Sequence, residues 1–421
     1  MPKFPGVSFK ILSPLRNRDF ALLWSGQTVS TVGDYALAVA LPIWVYQLTG
    51  STIALGAMAV CQTIPMLIFG LLSGALVDRY DRKRIMIIGD ILRGVLLLTL
   101  MFVQSAHHIL LLYFVAFLNA SVSRFFVPAR NAVIPNIVHK DLLPIANALS
   151  ATRYTLIMLV VPALGAGLVG IAGPQVAVLI DAVSFLIACS ATVFIATPLP
   201  AIASKDKPTP RLLLHEIAAG IRYLQTNHVI LALTIIGSIF KAGQAVLSML
   251  TIVFITQVLN APPATLGVAM SAFALGLLTS DFIIGNLRQC QTPARLITVG
   301  MTIIAICILL STNIIYLSVF LFLSFVRGLG TAAMGIGDQT LYQTAVSNEF
   351  RGRISGTVGT LYAVITIFST TLASGAADLI GIQNTFNVCG VIILMSSIYS
   401  YVVFRKSQLA DIQSPAKNRS G

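Results

Sequence analysis

Gly74-Ala75-Leu76-Val77-Asp78-Arg79-Tyr80-Asp81-Arg82-Lys83-Arg84 packs six charged side chains into a short segment between two long apolar runs, 54–77 and 85–104. Each run is long enough to cross the hydrocarbon core of a bilayer, roughly 30 Å thick, as a helix rising about 1.5 Å per residue. The segment between them therefore reads as a tight, basic loop at a membrane surface. The rest of the chain repeats the pattern. It is 57% hydrophobic and 10% charged, more apolar surface than a soluble fold can bury, so lipid is the solvent for much of it.

Working outward from this loop, twelve apolar spans are expected: 20–46, 54–77, 85–104, 109–130, 148–171, 174–197, 229–257, 264–286, 295–312, 314–338, 354–379 and 384–404. The runs are too long, and alternate too little, to be transmembrane strands. The chain carries 27 Lys and Arg. They fall in the N-terminal tail, in or around the loops that follow even-numbered spans, in the central polar stretch and in the C-terminal tail; only Arg93, Lys241 and Arg327 fall well inside spans. The positive-inside rule then puts both termini in the cytoplasm. A net charge of +13, which in a soluble protein would suggest nucleic acid, here reflects topology and attraction to anionic lipid. The first apolar run is too long for a cleaved signal sequence and reads as an anchor. Cys61, Cys189, Cys290, Cys307 and Cys389 show no paired spacing and read as packing residues.

The domain reading follows: a cytoplasmic tail 1–19, a six-helix bundle 20–198, a linker 199–228 with an amphipathic run, a second six-helix bundle 229–405, and a tail 406–421. The halves echo one another. Gly74 to Asp78 aligns with Gly285 to Gln289, an offset of 211, and Val138 to Asp141 aligns with Val346 to Glu349, an offset of 208. Such matches at polar loop positions argue for an internal repeat, and duplicated six-span halves build one large class of transporters.

The Gly74–Arg84 segment resembles the motif between helices 2 and 3 of the major facilitator superfamily. The resemblance covers the whole chain. Three further segments resemble the branch that includes macrolide-efflux permeases and drug–proton antiporters: Gly33-Asp34 with Ala40-Leu41-Pro42, Pro128-Ala129-Arg130 through Asn147, and Arg351-Gly352-Arg353. The resemblance implies the major facilitator fold, an all-α membrane protein with two pseudo-symmetric six-helix bundles. It implies that Gly74, Asp78, Arg79, Arg82, Lys83 and Arg84 form a conformational brace, with Asp78 meeting the positive end of the helix that begins near Ile354. Gln289 replaces Asp78 in the second copy, so the brace is asymmetric. Pro162, Gly165 and Gly167 resemble the helix 5 motif of antiporters, with Val161 in place of a glycine.

A charge at mid-membrane costs about 2.5–3.5 kcal/mol on insertion scales, so it must face water or a partner. Asp34, Lys241 and Arg327 are the candidates for proton or substrate coupling. Asp34 and Lys241 occupy equivalent places at an offset of 207, and Asn119 and Arg327 at 208. The resemblance implies that spans 1, 4, 7 and 10 line a central cavity. Helical spacing adds Gln27 to Asp34, Gln244 and Ser248 to Lys241, and Thr331 and Asp338 to Arg327. Burial favours a neutral carboxyl and a nearby Lys241 or Arg327 favours the charged one, so Asp34 suits proton loading and release. A static ion pair is the alternative. Asp90 and Arg93, one turn apart, are expected to pair locally. Arg130, Asp338, Glu349, Arg351 and Arg353 are candidates for a cytoplasmic latch.

No ATP-binding loop, zinc-type histidine pairing or catalytic constellation is present in the sequence. The expected function is secondary active export of an amphipathic small molecule (a drug, or a macrolide-like or siderophore-like compound) by alternating access, in exchange for protons. The expected setting is a monomer in the cell (inner) membrane with no cofactor, metal or nucleic acid. Rival readings are a metabolite importer, a lysophospholipid flippase and, from another class, a non-transporting receptor or assembly protein.

Overall fold

The structure, a computed structural model, describes residues 9–77, 79–197, 222–286, 292–346 and 348–413. Twelve helices among them are long and apolar enough to span a bilayer, and no strand occurs among the described residues. They are α1 Arg18–Thr49, α2 Thr52–Val77, α3 Arg82–Thr99, α4 Ile109–Ile137, α5 Leu143–Ala172 and α6 Pro174–Val193, followed by α7 His228–Val253, α8 Thr265–Asn286, α9 Pro293–Asn313, α10 Leu317–Ala345, α11 Asn348–Ile380 and α12 Ile382–Gln413. The chain divides into two compact units, residues 1–210 with 262–271 and residues 211–261 with 272–421. Residues 199–221 of the expected linker lie outside the described residues.

Helix and hydrophobic span are different things, and the ends show it. α4 and α10 each run seven residues past the expected apolar spans 109–130 and 314–338, to Ile137 and Ala345. Hydropathy falls there while helix-compatible residues continue, so Arg130, expected at a loop edge, lies inside α4.

In the first unit α1 packs on α5 and α6, α3 on α4 and α6, and α2 on α4; in the second, α7 packs on α11 and α12, and α9 on α10 and α12. The same neighbour pattern recurs at each sixth helix, which is the repeat in three dimensions. Its turns match too. Gly173 (φ +81°) joins α5 to α6 and Gly381 (φ +83°) joins α11 to α12, and only glycine enters that left-handed region without strain.

At the end of the first unit where α1 begins and α4 and α6 finish, side chains tie helix ends together. Asn17 caps α1 by accepting from the Asp19 and Phe20 N–H groups and donates Nδ2 to the Ile137 carbonyl at 2.8 Å. Asp19 accepts from the backbone N–H groups of Ala196 and Thr197, just beyond α6. Lys83 Nζ donates to the Ile195 carbonyl at 2.6 Å, and Arg82, almost fully buried, to the Ala132 carbonyl at 3.3 Å. Lys83 and Arg82 are thus ties between helix ends as well as topological charges. Beneath them Phe20, Leu23, Met86, Phe126, Val133 and Ile195 form one apolar cluster. An Asn17→Ala variant should lose about 0.5–2 kcal/mol from the cap alone, read as a lower melting temperature in detergent; an unchanged melting curve would discount the tie.

Candidate functional site

One face of α1 carries Trp24, Gln27, Thr31 and Asp34 at helical spacing, with Trp24 packed against the edge of the apolar cluster. These residues, with Tyr35, line a cavity of about 670 Å³ in the first unit. α4 contributes Val127, Arg130, Asn131 and Ile134, an i, i+3, i+4, i+7 set, and α5 contributes Asn147, Ser150, Ala151, Arg153 and Tyr154. A second cavity of about 260 Å³ is lined by Asp34, Gln62, Arg93, Asn119, Ser123 and Arg124 among others. Asp34 is common to both, and it is embedded in protein with its carboxylate still exposed to cavity space.

The electrostatics around Asp34 are set by its own unit. Its charge is attracted by Arg93 on α3 and Arg130 on α4. Arg130 donates to Gln27 Oε1 at 3.4 Å and to Asn131 Oδ1 at 3.1 Å. The expected local pair is present: Arg93 Nη2 donates to Asp90 Oδ1 at 2.7 Å. Its guanidinium is also held between two rings, 4.2 Å from the centroid of Phe126 and 4.1 Å from that of Phe185. Asp181 on α6, with no exposed surface, accepts at Oδ1 from Ser184 Oγ at 3.2 Å. Gly33 lets α1 approach this place, because a Cβ there would collide with Asp181 Oδ1 and Ser184 Oγ.

Other expected residues divide as follows. Asn119 lines the smaller cavity, its Oδ1 buried without a hydrogen-bond partner. Gly165 presses on Ala36 where α5 crosses α1, Pro162 is buried, and Gly167 faces open space. In the second unit Lys241 and Ser248 are exposed and Gln244 half-buried while Val246, Leu247, Met249 and Leu250 are buried, so α7 has one polar face free of its core. Lys241 is attracted to Asp338. Arg327 sits 5.0 Å from the Phe273 ring centroid, and Thr331 donates to its carbonyl at 2.9 Å. Each of these charges thus acts on groups in its own unit, Asp34 on Arg93 and Arg130, Lys241 on Asp338. Of the brace, Gly74 lies in α2, Arg79 follows it and Arg84 is an exposed partner of Asp81 at 3.8 Å, but Asp78 lies outside the described residues. The side chains of Glu349, Arg351 and Arg353 lie outside them as well.

The sequence reading places both Arg124 and Arg153 among the loop cations and gives Tyr35 and Tyr154 no role. The recurrence of Asn147, Ser150 and Tyr154 at helical spacing is the signal that would have found the α5 face.

Two helical units of matching topology, one holding a polar cavity around a membrane-embedded acid, are what a solute carrier requires. Residues 10–419 match the family model described as transmembrane secretion effector. The chain belongs to this family. It is a membrane transporter of the major facilitator type, a multi-pass protein and not an enzyme. Macrolide efflux protein A of Streptococcus pyogenes is 25% identical over 383 residues, covering 90% of this chain and 94% of that protein. The putative bacilysin exporter BacE of Bacillus subtilis (strain 168) is 34% identical over 163 residues, 38% of this chain and 40% of the relative. Among solved structures, the nucleoside transporter NupG superposes with a TM-score of 0.73 at 14% identity, covering 92% of this chain and all of that one (100%). A bacterial homologue of the human lysosomal transporter Spinster, inward-facing and unoccupied, gives 0.72 at 13% identity, covering 93% of this chain and 97% of that one. These likenesses concern the fold.

Proposed function

We propose that this transporter exports amphipathic small molecules from the cytoplasm by alternating access and exchanges them for protons at Asp34. The observation that carries the reading is the position of Asp34: one accessible carboxylate at the meeting of two cavities, under the attraction of Arg93 and Arg130. An ionised Asp34 attracts those arginines; a protonated one does not. A proton arriving through either cavity would therefore change the forces between α1, α3 and α4, which is the kind of local charge event that biases a two-state element. The efflux and exporter names of relatives support the outward direction. In this reading the protein is a monomer in the inner membrane with both termini cytoplasmic. Lys241 and Arg327 are the second unit's coupling candidates, the Gly74–Arg84 segment braces one access state, and Arg130, Asp338, Glu349, Arg351 and Arg353 serve as latch residues.

The test is transport in everted vesicles with an imposed pH gradient. Asp34→Asn removes the titration while nearly conserving shape, so it should insert and melt like the parent yet reduce gradient-driven export to the level of vesicles lacking the protein. Undiminished export by that variant would remove Asp34 from the coupling.

A further inference from the structure

The larger cavity of the first unit has more positive charge than its own acid can balance. Arg130 and Arg153 line it with Asp34. Among the described residues, the ion pairs are formed elsewhere, and neither arginine has a carboxylate at ion-pair distance. Asp34 acts on Arg130, whereas the charge that acts on Arg153 is that of Arg130, of like sign. Arg153 is therefore the uncompensated cation of the site.

Its donors are equally unbalanced. A guanidinium carries five N–H groups. One of those on Arg153, at Nη1, donates to the Trp24 carbonyl at 3.1 Å, while Nε is buried with no partner. Trp24, whose ring lies 6.0 Å from the same guanidinium, has its indole Nε1 buried without a partner too. The donors of this guanidinium that are not closed off, on a cation lining the cavity with no carboxylate at ion-pair distance, lack an anionic acceptor. Buried donors left unpaired are uncommon and costly, and a planar guanidinium is suited to a carboxylate or phosphate. Around this point the lining supplies neutral amides from Asn131 and Asn147 and an aromatic wall in which Tyr35 and Tyr154 meet edge to face, 5.6 Å between centroids. The cavity volume lies in the range of sites for drug-sized ligands.

We propose that Arg153 is an anion-binding subsite, and that the exported solute is an amphiphile carrying a carboxylate or similar acid. The proposal deepens the transport reading by naming its substrate class, and it rests on this cavity holding the solute. It does not depend on the coupling ion, because Asp34 and Arg130 balance one another and the acid is bound by the cation left over.

The chain has two tryptophans, Trp24 and Trp44, so Trp44→Phe leaves Trp24 as the sole fluorescent reporter beside the subsite. Purified protein in a neutral detergent is titrated with three matched probes: an N-octanoyl dipeptide, its methyl ester, and the analogue with an amine in place of the carboxylate. The acid should bind at least about tenfold tighter than the ester, within the range of a charge-assisted hydrogen bond, and the amine weakest. Arg153→Gln should bring acid and ester to equal affinity, and Arg153→Lys should restore part of the preference. Ester or amine binding as tightly as the acid, absence of binding by all three, or an unchanged preference in Arg153→Gln would each overturn the proposal. If the variant fails to fold, the three probes on the parent still decide it. Tighter binding by a short-chain phosphatidylglycerol than by the free acid would reassign the site to lipid and overturn the solute reading. Acid preference without pH-driven export would reject proton exchange alone; pH-driven export without acid preference would reject this subsite alone.

Discussion

An Arg93→Leu variant should lose about 3–5 kcal/mol of stability, the usual consequence of removing one partner of a buried ion pair. Arg93 is 4% exposed and Asp90 0%. The guanidinium supplies the hydrogen bond to Asp90 Oδ1 and fills the gap between Phe126 and Phe185. Without it an acid remains in an apolar wall with no cation to answer it, and a void opens between two rings. The effect should appear as a lower melting temperature in detergent and poor recovery from membranes. The Asp90→Leu and Arg93→Leu double variant should regain much of the loss, since apolar side chains of similar size often replace a buried pair at little cost. A double variant no more stable than the single one would show that Arg93 acts chiefly through the aromatic rings. Because Arg93 also attracts Asp34, the double variant is expected to fold but to transport poorly, which separates the pair's structural role from the cavity's electrostatics.

The second large effect is expected in the other unit. Gly276 on α8 and Gly328 on α10 face each other so closely that a Cβ on Gly276 would strike the Phe325 carbonyl oxygen, and one on Gly328 the Phe273 carbonyl oxygen. The obstacles are backbone, which no side-chain rotamer can move aside. Even alanine at either position should cost about 1–3 kcal/mol, the range for overpacking. Gly276→Val or Gly328→Val should force α8 and α10 apart and leave the second unit unassembled. Protease sensitivity in the membrane, or cross-linking between cysteines on the two helices, would read this out. A Gly328→Val variant as protease-resistant as the parent would refute the close crossing. Gly335 and Gly375, with open space where a Cβ would sit, are the controls: alanine there should leave the fold intact.

The two glycine pairs make plain where sequence reading stops. Gly276 and Gly328 look like any of the 31 glycines in the chain; only the crossing of α8 and α10 distinguishes them from Gly335. The Asp90–Arg93 pair, by contrast, was legible, because three residues along a helix place two side chains on one face. The i, i+4, i+7 face of Gln27, Thr31 and Asp34 was legible in part for the same reason: Gln27 and Asp34 were read and do line the cavity. The α5 side of that cavity was not read. Arg153 falls just past the start of its apolar run, where a cation counts equally well as a loop charge, and nothing local tells an arginine at a bilayer surface from one turned into a cavity.

Arg82 and Lys83 show the same limit at the helix ends. Their charge marks a side of the membrane, but their bonds to the Ala132 and Ile195 carbonyls depend on where α4 and α6 finish, some 50 and 112 residues further along the chain.

By itself the sequence determined the number of spanning helices, their approximate limits, the repeat of six and the acid worth examining in the first. All of these follow from interactions with the solvent or between near neighbours: apolar runs must enter lipid, backbone groups there must close into helices, and residues three or four apart share a face. The tertiary structure alone decided which charges meet, that Arg153 has no opposite charge at ion-pair distance among the described residues, and where two backbones touch. Those outcomes depend on distances between helices far apart in the chain, and the spacing of residues along one helix carries no information about the neighbour it will meet.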